Sequence, residues 1–98
     1  MYQQNDKDMT QENKIQTALQ MIDGYDWFWR MSDAWLYDEA KAGMRRFVAF
    51  VNTIEDGNIR RALRGLWALR YEEISSIISG RSTDTSAQRN EYMAILAA

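Results

Sequence analysis

Apolar residues recur along most of the chain three or four positions apart, which is the spacing of one face of an α-helix. Glycine or a polar cluster interrupts each of these stretches, and the chain contains no proline that would break a helix internally. The pattern predicts an all-α fold, a small bundle of four main helices. The predicted helices cover about residues 10–22, 33–55, 58–79 and 85–97.

The chain of 98 residues has the ordinary size of a single domain. Residues 1–9 are polar and are expected to form a flexible N-terminal tail, so that residues 10–98 make up one helical domain. Side chains that favour helix starts precede three of the predicted helices. The expected N-caps are Thr10 or Asp8 for the first helix, Asn58 for the third, and Thr85 with Gln88 in a capping box for the fourth.

The second and third predicted helices differ in the width of their apolar faces, at roughly 160° for residues 33–55 and roughly 200° for residues 58–79. The greater width indicates a central helix that is contacted from two sides, or one that also meets a second chain. Arg70 and Glu73 project into this wide arc at i, i+3 spacing. Because an unpaired buried charge is costly, we expect them to form a buried pair with each other or with the acidic N-terminal part.

Aromatic residues concentrate between positions 25 and 37, where six of the twelve in the chain fall within thirteen positions. Residues 25–31 alternate like a strand, but a lone strand is unstable, so we predict a short aromatic helical turn. The cluster could serve as a stacking platform or a ligand cage. The alternative that we favour is a plug of large side chains that closes one end of the bundle.

The chain has no histidine and no cysteine, which excludes disulfide scaffolds, thiolate or imidazole metal sites and Ser-His or Cys-His catalysis. The paired carboxylates Asp38-Glu39 and Glu72-Glu73 do not converge, because adjacent helical residues point about 100° apart. A glycine-rich phosphate loop is also missing from the sequence. We therefore expect a protein that is not an enzyme and has no cofactor, no metal and no small-molecule substrate.

The sequence contains no apolar run near the ~20 residues that a membrane span requires, and it begins with a polar stretch. We therefore expect a cytoplasmic protein without a membrane partner. The net charge of −2 conceals an asymmetry. Residues 1–39 carry three Lys/Arg against eight Asp/Glu, whereas residues 40–81 carry eight against four. These halves either complement each other within the bundle or mark a binding face.

These features favour a non-enzymatic interaction module, a small regulatory or accessory protein that binds another protein or forms a homodimer. Trp35 falls on the polar side of its predicted helix, and tryptophan is enriched at binding hot spots. Gly65 and Ala68 form part of a strip of small residues that could admit another helix, either from the same chain or from a second copy. The candidate interface residues are Trp35, Gly65, Trp67, Ala68 and Tyr71.

The alternative is a DNA- or RNA-binding accessory protein that uses arginines on the polar sides of the second and third helices. Two helices joined by a glycine-containing turn are typical of a helix-turn-helix reading head. Against this alternative, the helices are long and the isoelectric point is about 5.0. The candidate nucleic-acid contacts are Arg45, Arg46, Asn58, Arg60, Arg61 and Arg64.

An aromatic run after Asp26, closed by Ser32-Asp33 and followed by an amphipathic helix, resembles short uncharacterised proteins from Bacteroidetes genomes and their mobile elements. The resemblance covers about residues 22–50, and Ala34 stands where that pattern often has an acidic residue. It implies no activity, and therefore no functional residue.

Overall fold

A computed structural model describes residues 10–24 and 34–98, without the side chains of residues 34–40, 77 and 78. These residues form four helices and no strand, which confirms the predicted all-α bundle. The helices are α1 (Gln11–Asp23), α2 (Ala34–Val51), α3 (Gly57–Ile78) and α4 (Ser86–Ala97). The predicted tail at 1–9 and the predicted aromatic turn at 25–31 lie outside the described residues.

Helix α2 ends at Val51, four residues before the predicted end at position 55. After Val51 the chain tightens into i→i+3 bonds, with the amides of Thr53 and Ile54 donating to the carbonyls of Phe50 and Val51 at 3.0 Å. Ile54 is nevertheless buried. Its burial explains the error, because the apolar pattern continues past the point where the helical backbone stops.

Two of the three expected N-caps differ from the sequence prediction. Thr10 caps α1 as predicted, its Oγ1 accepting from the Asn13 amide at 3.1 Å. Asp56, rather than Asn58, caps α3, because its Oδ1 accepts from the Asn58 amide at 2.8 Å. Thr85 makes no cap bond to α4. The Asp84 carboxylate accepts from the Ser86 amide at 3.0 Å instead, and hydrogen bonds from Ser86 lower the pKa of Asp84.

The core forms where α1 lies across both α2 and α3. Its members are the buried residues Ile15, Ala18, Ile22, Phe47, Val51, Ile54, Ile59, Leu63 and Leu66. At the edge of the core, the partly buried ring of Trp67 in α3 stacks on the core residue Phe47 of α2, with ring centroids 4.7 Å apart. Helix α3 contacts all three other helices, as its wide apolar face predicted.

Helix α4 packs on the side of α3 opposite to α2. The Tyr92 ring lies directly over Gly65, where an added Cβ would overlap it. Before α4, the chain reverses at Gly80, whose φ of +73° is a left-handed conformation that favours glycine. The Arg81 amide then donates to the Ser76 carbonyl at 2.8 Å, which closes the C-terminus of α3 in a Schellman-type turn.

Candidate protein-binding face

The buried side of α2 has two flanks, and they face different surroundings. Phe47 is fully buried and marks the centre of this side. On one flank, Phe50 packs against the core, and Lys14 of α1 reaches the Thr53 carbonyl at 3.1 Å. At about 100° per residue, Met44 and Val48 lie on the other flank. This second flank is therefore turned away from α1.

Helix α3 presents a matching flank. Leu66 is buried in the core together with residues of α1, and Trp67, the next residue around the helix, contacts α2. Tyr71 and Arg64 follow Trp67 around the helix on the side away from Leu66. Both flanks therefore belong to one surface, which we call the outer face. It comprises Lys41, Met44, Arg45 and Val48 of α2 and Arg61, Arg64, Ala68 and Tyr71 of α3, all of them exposed.

The outer face combines large apolar side chains with cations. Met44 is 41% exposed, Val48 39% and Tyr71 46%. Single exposed apolar residues are common, but a group of them rimmed by polar side chains is typical of an interaction site. In the part of the chain that the structure describes, these three side chains are therefore only partly buried, and they share one surface.

The arginines predicted to bind nucleic acid do not share one surface. Arg45, Arg61 and Arg64 belong to the outer face, and none of them forms an ion pair within the described part of the chain. Arg46 lies on the opposite flank of α2, one turn before Phe50. The Arg60 guanidinium donates to the carbonyls of Ile54 and Glu55, the latter at 2.8 Å, and so closes the turn between α2 and α3.

Helices α2 and α3 meet beyond their connection. The Phe47 ring lies about one turn before the end of α2, and the Trp67 ring lies nearly three turns after the start of α3. Asn58 is exposed in the first turn of α3, where its backbone amide is bonded to Asp56. The predicted cluster of Asn58 with five arginines is therefore divided among the α3 start, the turn, the outer face and the opposite flank of α2.

The five predicted interface residues have different environments. The side chain of Trp35 lies outside the described residues. Trp67 is half-buried against Phe47, whereas Ala68 and Tyr71 are exposed on the outer face. The assignment of Gly65 to an interface with another protein is wrong, because Tyr92 of the same chain already covers it. At Gly65 the strip of small residues therefore admits a helix of the same chain, α4, which is one of the two predicted alternatives.

Arg70 and Glu73 form a wider cluster than the predicted buried pair. Their closest charged atoms are 3.9 Å apart, and the side chains are 34% and 21% exposed, so neither is fully buried. The nearer cation is Arg89 of α4, which pairs with Glu73 Oε1. Thr85 Oγ1 donates to the same oxygen at 3.0 Å. Sequence reasoning missed Arg89 and Thr85, because no periodic signal connects α4 to Glu73.

Two open pockets border this cluster. One, of about 220 Å³, is lined by Leu19, Ile22, Asp23, Leu66, Arg70, Arg89 and Met93. The other, of about 250 Å³, is lined by polar residues between Glu73 and Arg89. The second pocket holds two acidic side chains, Glu73 and Asp84, with two arginines, so its charges balance. In the first pocket, Asp23 accompanies Arg70 and Arg89, and both of these arginines face Glu73.

Two further findings concern other kinds of site. Among the described residues, no three acidic, histidine or cysteine side chains come together as metal ligands. The described helices also include none with the combined length and apolar character needed to cross a bilayer.

Comparisons with known proteins give no relative from which a function could be carried over. No family model matches the chain, and neither a curated protein nor a solved structure matches it.

Proposed function

We propose that this chain is a non-enzymatic interaction module of the cytoplasm that binds another protein through the outer face of α2 and α3. The observation that carries the proposal is the exposure of Met44, Val48 and Tyr71 on one surface beside Arg45 and Arg64. Aromatic residues, methionine and arginine are enriched in protein interfaces. The arrangement supplies an apolar centre with a charged rim, which is the anatomy of such interfaces.

A protein partner accounts for the outer face better than a nucleic acid does. Phosphate binding needs cations that lie along one track, and exposed apolar side chains add nothing to phosphate contacts. Arg60 is held by backbone carbonyls, and Arg46 lies on the other flank of α2. The remaining arginines surround apolar side chains, as they do in protein interfaces.

Photo-crosslinking in cells that make the protein tests this proposal. A photoreactive amino acid replaces Val48 on the outer face in one variant and Gln16 on the exposed side of α1 in a control variant. We expect a discrete crosslinked protein from the variant at position 48 and none from that at position 16. Equal crosslinking at both positions, or crosslinking to nucleic acid at position 48, would contradict the proposal.

A further inference from the structure

The outer face carries exposed cations on both of its helices. Arg45 lies on α2 and Arg61 and Arg64 lie on α3, and none of the three forms an ion pair with a described residue. Among the acidic side chains that the structure describes, Glu72 borders the face one turn after Ala68, and Glu55 and Asp56 lie in the α2–α3 turn. The chain as a whole is acidic, at −2, so this local excess of positive charge is a property of the surface and not of the composition.

This charge argues against a second copy of the chain as the occupant of the outer face. A two-fold dimer would bring the same surface patch of both copies together. Arg61 and Arg64 of one copy would then approach the same cationic patch of the other, and like charges in an interface disfavour association. The complementary occupant is one that carries carboxylates at the rim and apolar side chains at the centre.

The spacing of the apolar residues indicates which kind of segment fits. The outer sides of α2 and α3 flank the stacked rings of Phe47 and Trp67. Met44 and Val48 are one helical turn apart on α2, and Tyr71 stands on α3. A helix lying across these residues presents apolar side chains at i, i+3 or i+4 and i+7 to them, and its flanking positions face the surrounding arginines.

We infer that the outer face binds an acidic amphipathic helix of a partner protein. The inference rests on the proposed function and adds the chemistry of the partner. Leucine-type side chains of that helix cover Met44, Val48 and Tyr71. Its Asp and Glu residues pair with Arg45, Arg61 and Arg64, whose planar guanidinium groups bind carboxylates in a bidentate manner. Desolvation by the apolar contact strengthens these pairs relative to exposed ones.

The probe is a labelled helical peptide of about 20 residues, with leucines on one face and glutamates on the other. A second peptide keeps the leucines and replaces every glutamate with lysine, and a third scrambles the acidic sequence. Fluorescence anisotropy with the full chain measures all three affinities at low and high salt. We expect the acidic peptide to bind at least about tenfold more tightly than either control and to weaken with salt.

Neighbouring arginines on α2 provide a matched control. Arg45→Glu and Arg46→Glu change the net charge equally and are adjacent in sequence, but only Arg45 belongs to the outer face. We expect Arg45→Glu and Arg64→Glu each to weaken binding of the acidic peptide by roughly fivefold or more, and Arg46→Glu by less than about twofold. Circular dichroism checks that each variant is folded.

Three results would overturn the inference: equal affinity for the acidic and lysine peptides, no saturable binding of the acidic peptide, or equal losses from Arg45→Glu and Arg46→Glu. If position 48 still crosslinks to a protein in cells, only the chemistry assigned to the partner is wrong. If position 48 crosslinks to none while the acidic peptide binds as expected, the proposed function fails and the chemistry of the face stands.

Discussion

Replacing Phe47 with alanine is expected to lower the free energy of unfolding by about 3–5 kcal/mol, as for other fully buried aromatic residues. Phe47 has no exposed surface, belongs to the core shared with α1 and stacks on Trp67. Its removal leaves a cavity at the junction of three helices. Since domains of this size are stable by only about 5–15 kcal/mol, the change removes a large part of the total. Urea denaturation followed by circular dichroism measures it.

Val48→Ala is the control for this prediction, because Val48 is the next residue of the same helix and is 39% exposed. We expect its effect to stay within about 0.5 kcal/mol, as for other surface substitutions. A loss from Val48→Ala as large as that from Phe47→Ala would show that the outer face is packed inside the bundle. The outer face would then not be a binding surface.

Gly65→Ala is expected to destabilise the protein, although the same change in an open helix stabilises it. In a helix interior, alanine is favoured over glycine by about 1 kcal/mol. At Gly65 a Cβ overlaps the Tyr92 ring, so α4 must move away from α3. Overpacking of this kind costs about 1–3 kcal/mol, and we expect a net loss of stability in denaturation experiments.

The control introduces Gly65→Ala into a protein that already carries Tyr92→Ala. The tyrosine substitution removes the ring that the new Cβ would overlap. In the Tyr92→Ala protein, Gly65→Ala should stabilise by up to about 1 kcal/mol, the ordinary helix preference. The predicted change of sign is specific to the Gly65–Tyr92 contact. Stabilisation by Gly65→Ala in the unmodified protein would show that α4 does not rest on Gly65.

The helices were predictable because each depends on local periodicity and on a nearby stop signal. Gly80 ends α3 in a left-handed conformation, and Thr10 caps α1, as the sequence indicates. The end of α2 was not predictable from the apolar pattern, since Ile54 is buried from the turn rather than from the helix. Likewise, Asp56 and Asn58 are both good caps, and only the backbone geometry decides between them.

The candidate site was predictable only in part, because a sequence pattern gives the direction of a side chain but not its neighbour. The exposure of Tyr71 and Ala68 follows from their positions on α3. Two contacts depend on where α4 docks, which no local sequence signal determines. They are the contact of Tyr92 with Gly65 and the ion pair of Arg89 with Glu73. The sequence also does not show that Arg45 belongs to the outer face and Arg46 to the opposite flank, because this depends on which flank of α2 faces α1.

A partner that covers the outer face would shield it from reagents in solution, and two methionines allow a direct measurement of this protection. Met44 on the outer face and Met93 of α4, beside α1, are each 41% exposed, so they should oxidise at similar rates in the free protein. The labelled chain is oxidised by radicals in extract of cells that make the protein, and separately in the same extract freed of macromolecules. Mass spectrometry then measures the oxidation of both methionines under each condition. We expect macromolecules to protect Met44 and to leave the oxidation of Met93 unchanged. Protection of Met93 with continued oxidation of Met44 would show that no partner covers the outer face.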